Sequence, residues 1–171
     1  PGTVILAKSA GFCYGVRRAV DLARKTAVES GGCWMLGDLI HNANVVRELE
    51  ELGVRKTTEP ETLGEGDTVV IRSHGELKRV LDGLEARGAA CVNATCPNVS
   101  RIHQIVSRAE EGGRQVLIIG TRTHPEVAAI AGWCRRPVVL EGVAELSNWL
   151  ETAPERRDIP LTMVSQTTPT P

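Results

Sequence analysis

Residues 10–20 read "AGFCYGVRRAV", a lone cysteine between two glycines where an extended apolar run, "TVILAK" (3–8), gives way to a helical pattern. Val16, Ala19, Val20, Ala23 and Ala27 then fall on one helical stripe. The arrangement recurs. Cys13 and Cys96 each open C-x-x-V-x-R, continued by Val16 and Arg18 in the first copy and by Val99 and Arg101 in the second. The interval from Cys13 to Cys96 equals that from His41 to His124, and each of these histidines closes G-x-x-x-H, from Gly37 in "GDLIH" and from Gly120 in "GTRTH". Matched chemistry-bearing residues at one offset read as two copies of one unit. Each copy offers a thiol and an imidazole on a strand-to-helix loop.

The runs around these motifs give the fold class. "TVILAK" reads as a buried strand, followed by "CWMLG" (33–37), "TVVIR" (68–72), "ACVNA" (90–94), "QVLIIG" (115–120), "PVVL" (137–140) and "LTMVS" (161–165). Helical stretches separate them: one through Val45, Val46, Leu49 and Leu52, stopped by Gly53; one through Val80, Leu81 and Leu84, closed by Gly88; then from Asn98, after Pro125, and through Trp149. Continuously apolar strands alternating with helices predict an α/β fold of repeated parallel-sheet lobes covered on both faces. Ligands in such sheets bind at loops leaving the carboxyl ends of strands.

Composition bounds the partners. The 171 residues, 42% of them hydrophobic, suffice for one domain or two small ones. Twenty basic against twenty-one acidic residues leave a formal charge of −1, so no global field argues for nucleic acid or an anionic membrane. With no apolar stretch long enough to span a bilayer and no charged leader before an apolar segment, the default expectation is a cytoplasmic protein. Five cysteines, an odd number spread through a chain of this size, point to reduced thiols or metal ligands rather than disulfide staples.

A cysteine at a helix start is commonly a small packed residue, but a pair in register across a duplication asks for more. Unpaired N–H groups and the helix dipole favour a thiolate there, the form that nucleophiles and soft metals both require. A phosphatase-like loop would need five residues between cysteine and arginine, whereas Cys13 and Arg18 have four between them. Structural zinc usually shows close ligand pairs, and the sequence has no C-x-x-C. An iron–sulfur cluster takes thiolates from separate converging loops. Cys33, Cys91 and Cys134 match no ligand pattern and are assigned to packing. His41, His74 and His124 all follow strand-like runs and suit an anion such as a diphosphate. His103 lies mid-helix and is expected at the surface. Glu126, two residues past His124, reads equally as a general acid or as a first-turn residue favoured by the helix dipole.

Together, in order and spacing, "GFCYGV", "GDLIHN", "IRSHG", "NATCPNV", "GTRTHPE" and "SQTT" resemble the 4-hydroxy-3-methylbut-2-enyl diphosphate reductases, the LytB or IspH type. The resemblance spans nearly the whole chain. It implies reductive removal of the allylic hydroxyl of that diphosphate, giving isopentenyl and dimethylallyl diphosphates in the methylerythritol phosphate route to isoprenoids. It implies a [4Fe-4S] cluster held by three cysteines at the centre of a pseudo-threefold, three-lobed α/β fold, with an electron donor such as a ferredoxin or flavodoxin. Carried over by motif, Cys13 and Cys96 are cluster ligands, His41, His74 and His124 bind the diphosphate, Glu126 donates a proton, and Thr167 hydrogen-bonds near the substrate hydroxyl.

One departure follows from the repeat itself, because a further step of the same length from Cys96 falls beyond Pro171. The expected organisation is a leading strand over 1–13 that belongs with a third lobe, then lobes over 14–96 and 97–171. The start at Pro1 without Met and the stop inside "SQTTPTP" read as a piece of a longer enzyme. The alternatives are a shortened, redox-inactive homologue serving as a diphosphate-binding or scaffold module, or a site completed by another chain.

Overall fold

In the computed structural model, which describes residues 3–5, 10–40 and 42–167, the chain forms two parallel sheets flanked by helices. The first contains β1 (Cys33–Leu36), β2 (Val54–Thr57), β3 (Thr68–Ile71) and β4 (Ala90–Asn93) in the order β2-β1-β3-β4. Met35 pairs with Lys56 on one side and Val70 on the other. The second sheet, β6-β5-β7, sets β5 (Gln115–Ile119) between β6 (Val138–Leu140) and β7 (Leu161–Ser165), with Leu117 opposite Val138 and Met163. The helices are α1 (Tyr14–Ser30), α2 (Ala43–Glu51) and α3 (Lys78–Ala86) with the first sheet, then α4 (Pro97–Glu111), α5 (Pro125–Ala131) and α6 (Val143–Glu151) with the second. These are the repeated parallel-sheet lobes expected from the sequence. The offset is kept from α1 to α4, since Tyr14 and Pro97 open their helices directly after Cys13 and Cys96 respectively.

The continuous apolar strands are explained by burial on both faces. On one face of the first sheet, Met35 and Val70 pack with Ala19, Ala23 and Ala27 of α1 and with Leu49 of α2. The alanines let the helix lie close to the sheet. On the other face, Leu36, Val69 and Ile71 meet Leu84 of α3. In the second unit, Val116 and Ile118 of β5 pack with Val106 of α4 and Ile130 of α5. Leu49, Leu84, Leu117 and Ile130 are fully buried, and burying such a side chain stabilises the fold by about 2 kcal/mol.

Two elements differ from expectation. Residues 3–5 form no strand, and Val4 and Ile5 are almost wholly exposed at 94% and 88%; the rest of "TVILAK" lies outside the described residues. A strand needs a neighbour for its N–H and C=O groups, and residues 3–5 have no strand pairing among the described residues. Strand β2 was not expected, because "VRKT" carries no apolar run. At the sheet edge only Val54 of that strand is buried, so the segment can be mostly polar. Among the described residues no helix is long and apolar enough to cross a membrane.

Candidate functional site

Both motif cysteines occupy the residue just before a helix. Cys13 precedes α1 and accepts Arg17 N–H at 3.0 Å on its carbonyl; Cys96 precedes α4 and accepts Ser100 N–H at 2.9 Å in the same way. Neither thiol caps its helix by a hydrogen bond. The two helix starts meet at Gly15, two residues after Cys13, where a Cβ would stand 2.6 Å from Cys96 Sγ. Only glycine fits there. Arg18 fixes the same junction, donating at 3.3 Å each to the carbonyls of Asn93, the last residue of β4, and of Thr95, on the loop from there to Cys96. The arginine of C-x-x-V-x-R therefore holds the approach to the second cysteine. Two thiols are the soft donor type that an iron–sulfur cluster takes, and the neighbouring helix N-termini offer unpaired N–H groups to an anionic centre. Among the described residues no three His, Cys, Asp or Glu side chains gather as a metal-binding group.

The histidines sit at strand carboxyl ends. His74 follows β3, and His124 caps α5 after β5; their rings lie 5.6 Å apart, edge to face, so the two sheet units meet at this pair. Both are partly buried. Nδ1 of His124 accepts the backbone N–H of Glu126 at 3.2 Å, leaving Nε2 as the proton-bearing nitrogen of the neutral ring. His41, the third expected diphosphate ligand, lies outside the described residues.

Glu126 is 1% exposed in the first turn of α5. Thr167, just past β7, reaches it twice: its N–H donates to Oε1 at 2.6 Å and its hydroxyl to Oε2 at 2.9 Å. Thr167 is itself exposed, so it stands between a buried carboxyl group and the surface. Sequence reasoning missed its neighbour Gln166. That buried side chain accepts Thr121 N–H at 3.1 Å, tying the loop after β5 to the end of β7. The signal was Gly120, where a Cβ would come within 2.8 Å of Gln166 Cβ and of Val127 Cγ2, so the glycine of G-x-x-x-H marks this close approach.

His103 is a correction. It is 4% exposed, not at the surface, and stacks on Trp133 with centroids 4.7 Å apart and an 18° interplanar angle. Burial pushes its pKa down to about 4. The helical period places residue 103 on the inward stripe with Val99 and Val106, which outweighs its polarity. The other cysteines divide. Cys33 is buried in the first core and Cys134 half-buried in the second; burial raises both thiols, that of Cys134 to about 11, as suits packed, unreactive groups. Cys91 is exposed rather than packed, because β4 is an edge strand with little covering it.

The family model for LytB protein matches residues 4–170. The chain belongs to the LytB family. Among LytB relatives, the 4-hydroxy-3-methylbut-2-enyl diphosphate reductase of Clostridium perfringens (strain 13 / Type A) is 44% identical over 149 residues, 85% of this chain and 53% of that protein. The enzyme of the same name from Clostridioides difficile (strain 630) is 34% identical over 167 residues, covering 97% of this chain and 59% of the relative. A solved structure of (E)-4-hydroxy-3-methyl-but-2-enyl diphosphate reductase, described as the terminal enzyme of the non-mevalonate pathway, aligns with a TM-score of 0.80 and 36% identity over 98% of this chain and 59% of that one. A reductase structure from Plasmodium falciparum shares the fold at a TM-score of 0.84 and 21% identity, covering 94% of this chain and 50% of the other. The chain spans about half the length of the curated relatives it matches.

Proposed function

We propose that this chain provides part of the active site of a 4-hydroxy-3-methylbut-2-enyl diphosphate reductase. Its histidines would hold the diphosphate and Glu126 would deliver a proton to the departing allylic hydroxyl. The single observation that carries this reading is the pairing of His74 and His124, rings 5.6 Å apart, with a buried carboxyl two residues from His124 that receives two hydrogen bonds from Thr167. Two imidazoles from different sheet units suit a multiply charged anion, since each can donate from a ring nitrogen. Anchoring the substrate by its diphosphate leaves the allyl end free to reach the thiol junction.

Cys13 and Cys96 would supply two of the thiolates of a [4Fe-4S] cluster, with further ligation from outside the described residues. When bound, the cluster provides electrons and a Lewis-acidic iron, fed by a donor such as a ferredoxin or flavodoxin. Thr167 completes the proton path. Its hydroxyl donates to Glu126 Oε2; with a proton on Oε2 the bond reverses, and Glu126 donates to Thr167 Oγ1, whose own proton is then free to pass outward.

Glu126→Gln tests the assignment in the active reductase. The amide keeps an oxygen for Thr167 N–H, so KM changes little, while kcat falls about a thousandfold, within the range for loss of a general acid. An unchanged kcat removes Glu126 from the proton path. The His74–His124 pair alone would also serve a redox-inactive diphosphate-binding module, and iron and sulfide analysis of anaerobically purified protein separates the two readings. In a longer chain carrying the further ligand, stoichiometric iron and sulfide lost in Cys96→Ser supports the reductase; their absence there, with diphosphate binding retained, supports the module.

A further inference from the structure

The loop that carries His74 belongs to the first sheet unit, where Cys96 N–H donating to Ser73 O at 2.9 Å continues the β3–β4 ladder, yet at Gly75, Glu76 and Leu77 the second unit grips it. The indole N–H of Trp133 donates to Glu76 O at 3.0 Å. Gly132 lies so close to Leu77 that a Cβ on it would come within 2.3 Å of Leu77 Cδ2. Between these contacts the imidazole of His103 presses on Gly75, where a Cβ would stand 2.5 Å from Cε1. Gly75 also has φ +80°, a conformation natural to glycine, so the turn and the contact demand the same residue.

The identity of residue 103 is informative. Its counterpart in the first copy is Val20, buried at 2% in α1. The same helical position is filled by an apolar side chain in one copy and by a ring in the other. Packing alone would accept valine, and His103 carries a cost, since its buried Nε2 has no hydrogen-bond partner among the described residues. What the imidazole adds is a flat face that stacks on Trp133 and an edge that meets Gly75.

We infer that the His103–Trp133 stack is a positioning device for His74, by which the second sheet unit sets the first unit's imidazole against His124. His103 presses from beneath at Gly75, and Trp133 latches the carbonyl of the next residue. Neither touches the anion. The inference rests on the diphosphate reading of the histidine pair for its consequence, although not for its geometry.

The test uses this chain, inorganic pyrophosphate as the probe, and two readouts at a temperature well below Tm: the pyrophosphate Kd by calorimetry and the His74 ring signals by NMR. In His103→Ala the His74 signals shift, the nuclear Overhauser contact between His74 and His124 is lost, and Kd rises about tenfold, as expected when a binding group is misplaced. Trp133→Phe keeps a ring for the stack and removes only the latch, so the same signals shift less and Kd rises about fivefold. Folded His103→Ala with His74 signals and Kd both unchanged reduces the stack to core filling and overturns the inference. Should His103→Ala fail to fold, unchanged signals and Kd in Trp133→Phe overturn it instead. Absence of pyrophosphate binding by the unmutated chain sinks the diphosphate reading, while the His74 signals of the variants still decide the positioning role.

Discussion

Ala43 in the first unit corresponds across the repeat to Glu126 in the second, and the loops around these two positions differ accordingly. In the first, Asn42 caps α2, its side-chain oxygen accepting the N–H groups of Asn44 at 3.1 Å and Val45 at 3.2 Å. In the second, the cap of α5 is His124, and the first turn carries the buried acid. The hydroxyls beyond the third strand of each sheet diverge in the same way. Ser73, two residues past β3, donates to the carbonyl of Leu39 at 2.8 Å; Thr167, two residues past β7, donates to the Glu126 carboxylate at 2.9 Å. One scaffold thus uses equivalent loops for local structure in one copy and for a buried carboxyl group in the other. The repeat preserves paired thiols and imidazoles, while the position of Glu126 carries an acid in one copy only.

The largest test of this asymmetry is the pair Val20 and His103. Burial lowers His103 to about 4 from an ordinary value near 6.5, so the folded chain holds the ring neutral. Above the unfolded-state pKa both states bind no proton on this residue, and its contribution to stability is fully present. As pH falls from about 6.5 towards 4, the unfolded chain takes up a proton that the folded chain does not, and stability drops by up to about 3 kcal/mol. Urea unfolding at pH 7, 5.5 and 4 should show this loss in the parent chain and a shallower decline in His103→Phe. Parallel curves would mean that the ring gains its proton without penalty, and the second unit would then resemble the first more than the buried imidazole suggests.

Much of the contrast was legible in the residues. The shared offset between Cys13 and Cys96 and between His41 and His124 exposed the duplication, and apolar runs located the central strands because those are buried on both faces. Edge strands hid for the opposite reason: "VRKT" forms β2 with three of its four residues at least partly exposed, so no apolar run marks it. Candidate residues on loops next to motif glycines could be named, and their neighbours could not. Gln166 and Trp133 act through contacts that cross between segments 45 and 57 residues apart, to Thr121 and Glu76 respectively. His103 was misplaced because its polarity outweighed its helical phase.

The paired hydroxyls sharpen the comparison with a smaller effect. Thr167→Val keeps the backbone N–H bond to Glu126 Oε1 and removes only the hydroxyl bond to Oε2. In the active reductase kcat should fall about tenfold, the scale of one hydrogen bond, with little change in melting temperature. Ser73→Ala removes a buried bond between neutral groups and should appear instead as a stability loss of about 1 kcal/mol in urea. If Thr167→Val costs stability and leaves kcat alone, the two hydroxyls have one structural role and the asymmetry disappears.

The smallest effect concerns the outer surface. Arg24 of α1 forks onto Glu48 of α2, with Nε to Oε1 and Nη2 to Oε2 both at 2.9 Å; the corresponding residues of the second unit are Ser107 and Ala131, which form no ion pair. The pair is solvent-exposed at 40% and 47%, so screening and side-chain entropy leave it little net energy despite its bidentate geometry. A double-mutant cycle of Arg24→Gln and Glu48→Gln should give a coupling of about 0.5 kcal/mol at low salt, shrinking towards zero in about 1 M sodium chloride, where the screening length is about 3 Å. Coupling that survives high salt would show that the fork aligns α1, and with it the Cys13 end of the helix, in a way the second unit does without. Coupling that vanishes leaves the buried alanine stripe Ala19, Ala23 and Ala27 as what seats α1 on its sheet, so that the first thiol, like the second, is placed by packing rather than by surface charge.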